Sequence, residues 1–352
     1  MPRIAEAFCR QHRHETLADI PRYGDGPRHI RFTHILNPWR AASFKDKAVQ
    51  ELTFETIRAA ARAAEPSIEV RCVCVTAAGD RDIVPEDFVA APSLTRTVLD
   101  VATFAVPRSL PLIFDIFDNG ISVPEEPRDV PDCEDFIIFT NMDIHLQPHF
   151  YQAVAGFIRD GYDIIDVHRR TIPQYAPHVQ LLPVMYAEAG IHHGGLDCII
   201  FPRRKYSSFV RNNACVGMSL VMKGVLVNCA VQAKRFLVLS NSRLTFHLGN
   251  DRAWAVPLFD DYTQHNLSQF QNLIREMSKE PAAAGRLISA LRTMQLPPQL
   301  VALAEKTAGI RSAAPGGYAL IRRRLKSVRL RLARKALGLL TLPEEAASQD
   351  HN

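Results

Sequence analysis

Residues 30–36, "IRFTHIL", alternate apolar and polar positions in the manner of a half-buried strand, and the run stops at Asn37-Pro38-Trp39. Over 48–65, "AVQELTFETIRAAARAAE", the spacing becomes helical, the residues are strong helix formers, and Pro66 ends the run. A second strand, rich in β-branched residues, is predicted at 68–77. A helix-like or irregular stretch follows near 94–105, then the apolar "LPLIFDIFDNG" at 110–120 and a strand at 135–140, "DFIIFT". Residues 148–161 read as a helix with Pro148 near its first turn and Gly161 at its end, and 162–170, "YDIIDVHRR", as a strand. Strands alternating with helices imply a mostly parallel α/β sheet over roughly the first 170 residues. Such strands are covered on both faces, which accounts for the unbroken apolar "FIIF". Ligands bind at the carboxyl ends of the strands in these sheets, and "TNMD" (140–143) lies at one.

Beyond 171 the pattern is less regular. Residues 191–206, "IHHGGLDCIIFPRRKY", read as a Gly-rich loop feeding a short strand, and 213–231 as an apolar helix. Residues 235–254 hold a strand and then a polar loop around His247, Asn250 and Asp251. Residues 260–280 and 285–310 are helical or mixed, and "AAPGG" (313–317) punctuates the chain before a basic segment. The organisation expected is a lead-in at 1–28, a catalytic domain at 29–260, a helical extension at 261–312, a basic amphipathic helix at 318–340 and a tail at 341–352.

Composition narrows the class. The chain has 352 residues, 47% apolar and 22% charged, as in soluble globular proteins. No stretch approaches the ~20 apolar residues of a membrane span, and the first residues lack the apolar core of a secretion signal. Seven cysteines without a CxxC fit reduced thiols in the cytoplasm. Alternation puts Cys72 and Cys74 on one strand face, where they are taken as core packing rather than metal ligands. Net charge is +5, but residues 318–340 carry eight Lys/Arg and no acid, so the remainder sums to −3. A generally basic, nucleic-acid-coating surface is therefore not indicated. In 318–340 one helical face is apolar and the rest is Lys/Arg, a pattern that suits an anionic membrane surface; packing on its own domain or an RNA-binding arm are the alternatives.

A carboxylate just past a parallel strand is well placed to hold a divalent cation that bridges phosphate oxygens. Asp143 is such a residue, with Asn141 turned toward a ribose or a metal-bound water; an isolated Asn-x-Asp would more simply cap the following helix. No GxGxxG follows a strand, and GxxxxGK[ST], GxSxG and HExxH are absent. A zinc site built from His145 and His149 would need a helix running through Pro148.

The segment "DFIIFTNMDIHLQPHFYQAV" (135–154) resembles the metal-binding strand end of glycosyltransferases of the GT-A fold, whose usual form is Asp-x-Asp; here Asn141 stands first. "THILNPW" (33–39), "GGLDCIIFPRRKY" (194–206) and "LTFHLGNDRAW" (244–254) are similar to further pieces of bacterial members of that group, in the expected order over about 29–260. The resemblance implies a Rossmann-type mixed sheet, mainly parallel and flanked by helices, with a C-terminal helical extension. It implies transfer of a sugar from a nucleoside-diphosphate donor to a hydroxyl acceptor, with Mg²⁺ or Mn²⁺ as cofactor. Asn37 and Trp39 would meet the base or ribose, although Trp39 could equally pack on a helix. Asp115 would approach the nucleotide or sugar, or else begin a helix as a solvated acid. Asp143 and His247 would hold the metal, Asn141 and Arg252 would serve the donor, and Gly194-Gly195 would let the acceptor approach closely. Asp197 and Asp251 are the two candidates for the base that takes the acceptor proton, unranked. The tripeptide His168-Arg169-Arg170 either contacts substrate or ends a strand in solvent.

The expected function is thus a glycosyltransferase of envelope or surface glycan synthesis. It would work in the cytoplasm and at the inner face of the cell membrane, on a glycan or lipid-linked acceptor and without nucleic acid. A sugar-phosphate nucleotidyltransferase is the second enzyme class, disfavoured because "LNPWRAASFKDK" after the first strand has no glycine. A non-catalytic nucleotide-sugar-binding or scaffold protein is the third.

Overall fold

A computed structural model describes residues 20–124, 132–249, 260–294 and 296–310. The chain divides into a unit Met1–Ala308 and a unit Gly309–Asn352. The segments expected at 313–317, 318–340 and 341–352, and the candidate residues Asn250, Asp251 and Arg252, lie outside the described residues.

Seven strands form the main sheet: β1 (His29–Leu36), β2 (Ile68–Cys74), β3 (Val89–Ala90), β4 (Cys133–Thr140), β6 (Ile164–Val167), β9 (Cys198–Pro202) and β10 (Phe236–Leu239). Their order is β10-β6-β9-β4-β1-β2-β3, and only β9 runs antiparallel to its neighbours. The architecture implied by the resemblance, a mixed and mainly parallel sheet flanked by helices, is the one found.

The pleat explains the continuous apolar runs. In β4, Phe136 and Ile138 face one core together with Ile30, Phe32 and Leu36 of β1, while Ile137 and Phe139 face the other with Ile35. Helices α1 (Phe44–Arg62) and α3 (Phe150–Arg159) cover the first face through Phe54, Ile57, Phe150, Val154 and Ile158. Helices α2 (Ile113–Ile121) and α5 (Val221–Gln232) cover the second through Phe114, Phe117, Val225 and Cys229. The apolar run at 110–120 thus resolves as α2, and the start of α1 is capped by Ser43, whose side chain accepts from the Asp46 amide at 3.0 Å.

Helix α5 is apolar all round because it is sandwiched. Its Val227 and Val231 pack with a third cluster formed by α6 (Asp260–Ser278), α7 (Pro281–Thr293) and α8 (Pro298–Thr307). The helix expected from 213 starts only at 221, because Asn266 of α6 binds the backbone of the preceding segment, which bridges at Cys215 and then turns. The Asn266 amide oxygen accepts from Cys215 N at 2.9 Å, and its NH₂ donates to Cys215 O at 3.0 Å and Ser219 O at 3.1 Å. The end of the lead-in is docked as well: Tyr23 N donates to Asp160 O at 2.8 Å, and a Cβ at Gly26 would overlap the Ile158 carbonyl.

A second, four-stranded sheet has the order β5-β11-β7-β8, from His145–Leu146, Thr245–Leu248, Arg170–Ile172 and Ile191–His192. Each of β5, β7 and β11 follows the carboxyl end of a main-sheet strand, namely β4, β6 and β10. The strand expected over 162–170 is therefore two strands, broken at His168-Arg169 where the chain passes from one sheet to the other. His247, expected near a polar loop, lies within β11. No described helix is long and apolar enough to cross a membrane.

Candidate functional site

Strand β1 leads to β2 and β3 on one side and is flanked by β4 on the other, so the chain reverses its winding between β1 and β4. At such a switch point the loops beyond the two carboxyl ends part and leave a crevice. Asn37-Pro38-Trp39 emerges there from β1 and Asn141-Met142-Asp143 from β4.

The second loop is fixed from below. Ile144 N donates to Asn141 O at 3.2 Å, closing a turn. The buried Thr53 hydroxyl of α1 is within 2.9 Å of Met142 O and 3.1 Å of Val49 O, and can donate to either. Its oxygen, 3.1 Å from His145 Nδ1, therefore accepts the imidazole proton. Burial pushes the His145 pKa down to about 3, so the ring is neutral and its Nε2 carries a lone pair, buried without a partner.

Asp143 projects from this loop with its side chain 41% accessible, yet Oδ1 is buried and unpartnered. Its Oδ2 lies 3.2 Å from His247 Nε2, while His247 Nδ1 donates to Gly249 O at 2.9 Å. Burial alone would lower the His247 pKa, but the hydrogen bond and charge of Asp143 outweigh it and the net shift is upward. For Asp143, burial acts to raise the pKa, and the hydrogen bond and charge of His247, helped by Arg169, bring it below the usual value. The two candidate metal residues are therefore in hydrogen-bond contact.

Beside them lies a second constellation. Asn141 Nδ2 donates to Asp197 Oδ1 at 3.0 Å, and the Arg169 guanidinium is 3.1 Å from Asp197 Oδ2. Burial raises the Asp197 pKa against the pull of Arg169, with Asp143 adding to the rise. Asn141 thus positions a carboxylate. Gly195 makes room for it, since a Cβ there would overlap the Asp197 carboxylate and press on His193; beside Gly194 the space is open. The requirement at 195 is for volume, not for a left-handed backbone.

Trp39 is presented rather than packed. Its backbone is gripped at both ends by Gln50 of α1, with Trp39 N donating to Oε1 at 3.2 Å and Nε2 donating to Trp39 O at 2.9 Å, while the residue stays 47% exposed. Asn37 spends its NH₂ on Val75 O at 2.7 Å, closing the ends of β1 and β2. Asp115 sits in the first turn of α2 with both oxygens paired to Arg96 at 2.6 and 2.7 Å, rather than in solvent.

Three residues of this neighbourhood escape sequence reasoning. Asp166 is 1% exposed in β6, and His168 Nε2 lies 3.3 Å from its Oδ2; the only signal is one acid inside an apolar strand. Thr53 and Gln50 look like ordinary helix residues. His168 also meets His192, Nδ1 to Nε2, at 3.2 Å.

A resident cation can be weighed against these residues. Among the described residues no three His, Cys, Asp or Glu side chains converge as a metal site. The Asp143–His247 pair with its orphaned Oδ1 offers one oxygen and one nitrogen donor, which suits Mg²⁺ or Mn²⁺ shared with substrate phosphates and does not suit an all-protein cage.

No family model and no curated protein matches the chain. Among solved structures, residues 1–349 of S. aureus TarS in complex with UDP-GlcNAc share 12% identity with it, over 80% of this chain and 88% of that one, at a TM-score of 0.38. The mannosyltransferase PcManGT from Pyrobaculum calidifontis, in complex with GDP-Man and Mn²⁺, shares 11% over 93% and 88%, at 0.45. The 4-diphosphocytidyl-2C-methyl-D-erythritol synthase from Anaerococcus prevotii shares 9% over 68% and 96%, at 0.32. Likenesses this distant carry no argument about the chemistry of this chain.

Proposed function

We propose that this chain is a glycosyltransferase that moves a sugar from a nucleoside-diphosphate donor to a hydroxyl acceptor. The observation that supports it best is the Asp143–His247 pair, with one carboxylate oxygen orphaned, set beside the Asn141–Asp197–Arg169 constellation at the switch point of the sheet. A transfer of this kind needs charge neutralised on a departing diphosphate and a base for the acceptor hydroxyl, and the two constellations divide those tasks.

Trp39 stacks on the nucleobase, held at the crevice by Gln50. Asp143 and His247 would hold a Mg²⁺ or Mn²⁺ ion, which when bound supplies positive charge to the phosphate oxygens. Asp197 takes the proton from the acceptor hydroxyl; burial raises its basicity, Arg169 opposes that rise, and Asn141 fixes its orientation. Asp251 remains a second candidate for this base and Arg252 a further donor contact. Gly194 leaves open space for the acceptor. Residues 29–260 are assigned to catalysis. The run of eight Lys/Arg without an acid in 318–340 supports docking on the inner surface of a membrane, where a lipid-linked or envelope glycan would be the acceptor.

A scaffold that binds nucleotide sugars without turnover has one observation in its favour: Asn141 stands where a second acidic ligand would be and is spent on Asp197. The test is release of nucleoside diphosphate from a panel of nucleotide sugars. The transferase releases it from one donor class, and Asp143→Ala reduces turnover at least ~100-fold, the scale of losing a transition-state charge contact. Binding without any release favours the scaffold.

A further inference from the structure

A small cleft lies between the β6–β7 join and the β10–β11 loop, lined on one side by Arg169. Its volume is about 40 Å³, room for roughly three waters. That is the scale of one oxyanion group and far below a nucleotide or a sugar.

The lining is basic and contains no acid: His168, Arg169, Arg170 and Arg243 contribute, with Ser240 and Asn241 beside them. Two of these groups are already balanced, Arg169 by Asp197 and His168 by Asp166. Two are not. Arg170 is 6% exposed, donates to Tyr186 O at 3.2 Å, and keeps its Nε buried without a partner. Arg243 has no hydrogen bond or ion pair among the described residues, and neither do Ser240 and Asn241. The two arginines line the same cleft, where burial first and then the charge of Arg243 hold the Arg170 pKa down against the pull of Glu188. Arg243 also holds a left-handed backbone, φ 57°, which a side chain adopts only where its surroundings impose it. Like charges brought together around a cleft, with hydroxyl and amide donors beside them, fit a tetrahedral anion.

We propose that this cleft binds a phosphate group carried by the acceptor, so that the acceptor is a phosphorylated or phosphodiester-linked hydroxyl compound. Arg169 lines the cleft and pairs with Asp197, so a phosphate held there anchors the acceptor one side chain away from the proposed base. The assignment to the acceptor rests on the transferase function; the anion site itself does not.

The test titrates inorganic phosphate into the full chain by calorimetry at fixed ionic strength, with and without saturating Mn²⁺ and each of UDP, GDP, CDP and dTDP. Arg243→Asn is the variant, because Arg243 is exposed and Asn tolerates the left-handed backbone. Phosphate binding that weakens at least tenfold in Arg243→Asn, and is indifferent to the bound Mn²⁺–nucleotide, is the expected result. Phosphate that fails to bind, or binds the variant equally well, overturns the site. Competitive displacement by the nucleotide assigns the cleft to the donor and overturns the acceptor assignment. Arg243-dependent phosphate binding in a chain that binds none of the nucleotides leaves the anion site standing and removes the acceptor assignment together with the transferase.

Discussion

Arg169 is the residue on which the site's electrostatics turn. It opposes the rise that burial imposes on the Asp197 pKa and it also lowers that of Asp143. Replacing it by Gln removes a positive charge beside two carboxyls, so both protonate more readily. A base must be deprotonated to act, so the acidic limb of the pH–rate profile should move upward in Arg169→Gln, by about one pH unit or more for a contact this close. An unmoved limb would show that Asp197 is not the group the profile reports. The two members of this pair differ in how far the sequence marks them. Asp197 is legible because two glycines precede it, whereas Arg169 is one of three consecutive polar residues at a strand end and nothing in its spacing marks it. Its role appears only when β6 and β9 lie side by side.

At the level of elements, one helix carries much of the site. Thr53 of α1 ties down the Asn141–Asp143 loop and Gln50 of α1 grips Trp39, so the two loops across the crevice are referenced to one rigid body. Gln50→Ala should leave Trp39 in place as a residue but loosen its backbone. Nucleotide affinity should then fall about 3- to 10-fold, on the scale of one or two neutral hydrogen bonds, with its metal dependence unchanged. A calorimetric titration of the variant checks this; full affinity would show that the ring does not meet the base. Strands β1, β2 and β4 of the main sheet and helices α1 and α3 are legible because their patterns each run over several consecutive residues. The second sheet is not, because β5 and β8 are two residues long and β7 three, too short for any period to show. The start of α5 is not legible for a related reason: the backbone of its apolar approach, 213–220, is bound by Asn266, some fifty residues away in the chain.

Over the whole molecule, two buried histidines, His34 of β1 and His145 of β5, link folding to pH. His34 accepts or donates between Tyr151 and Thr140 at 2.7 and 2.9 Å, and burial holds its pKa at about 3, as it does for His145. Both pKa values are depressed below the unfolded value of 6.5. Below that value the unfolded chain binds protons that the fold refuses, so stability falls as pH falls. Each ring contributes a slope of up to about 1.4 kcal/mol per pH unit between roughly pH 6 and 4. Denaturant unfolding at pH 7, 6 and 5 should show the loss, and His34→Gln should flatten it; equal stability at pH 7 and 5 would mean that the rings are charged in the fold. The α/β class and the placing of a site at the carboxyl ends were readable from the chain, since alternation of strand and helix fixes both. The antiparallel β9 and the reversal between β1 and β4 were not, because strand order is set by which faces bury which helices and leaves no local mark.

The central claim is that Asp143, paired with His247, holds a divalent cation shared with a nucleotide diphosphate. It is tested most directly by calorimetric titration of UDP, GDP, CDP and dTDP into the purified chain, with and without Mn²⁺, in the wild type and in Asp143→Ala. One nucleotide should bind, Mn²⁺ should tighten it at least tenfold, and the alanine variant should lose that gain. Binding of equal strength with and without Mn²⁺, unaffected in Asp143→Ala, would contradict the claim.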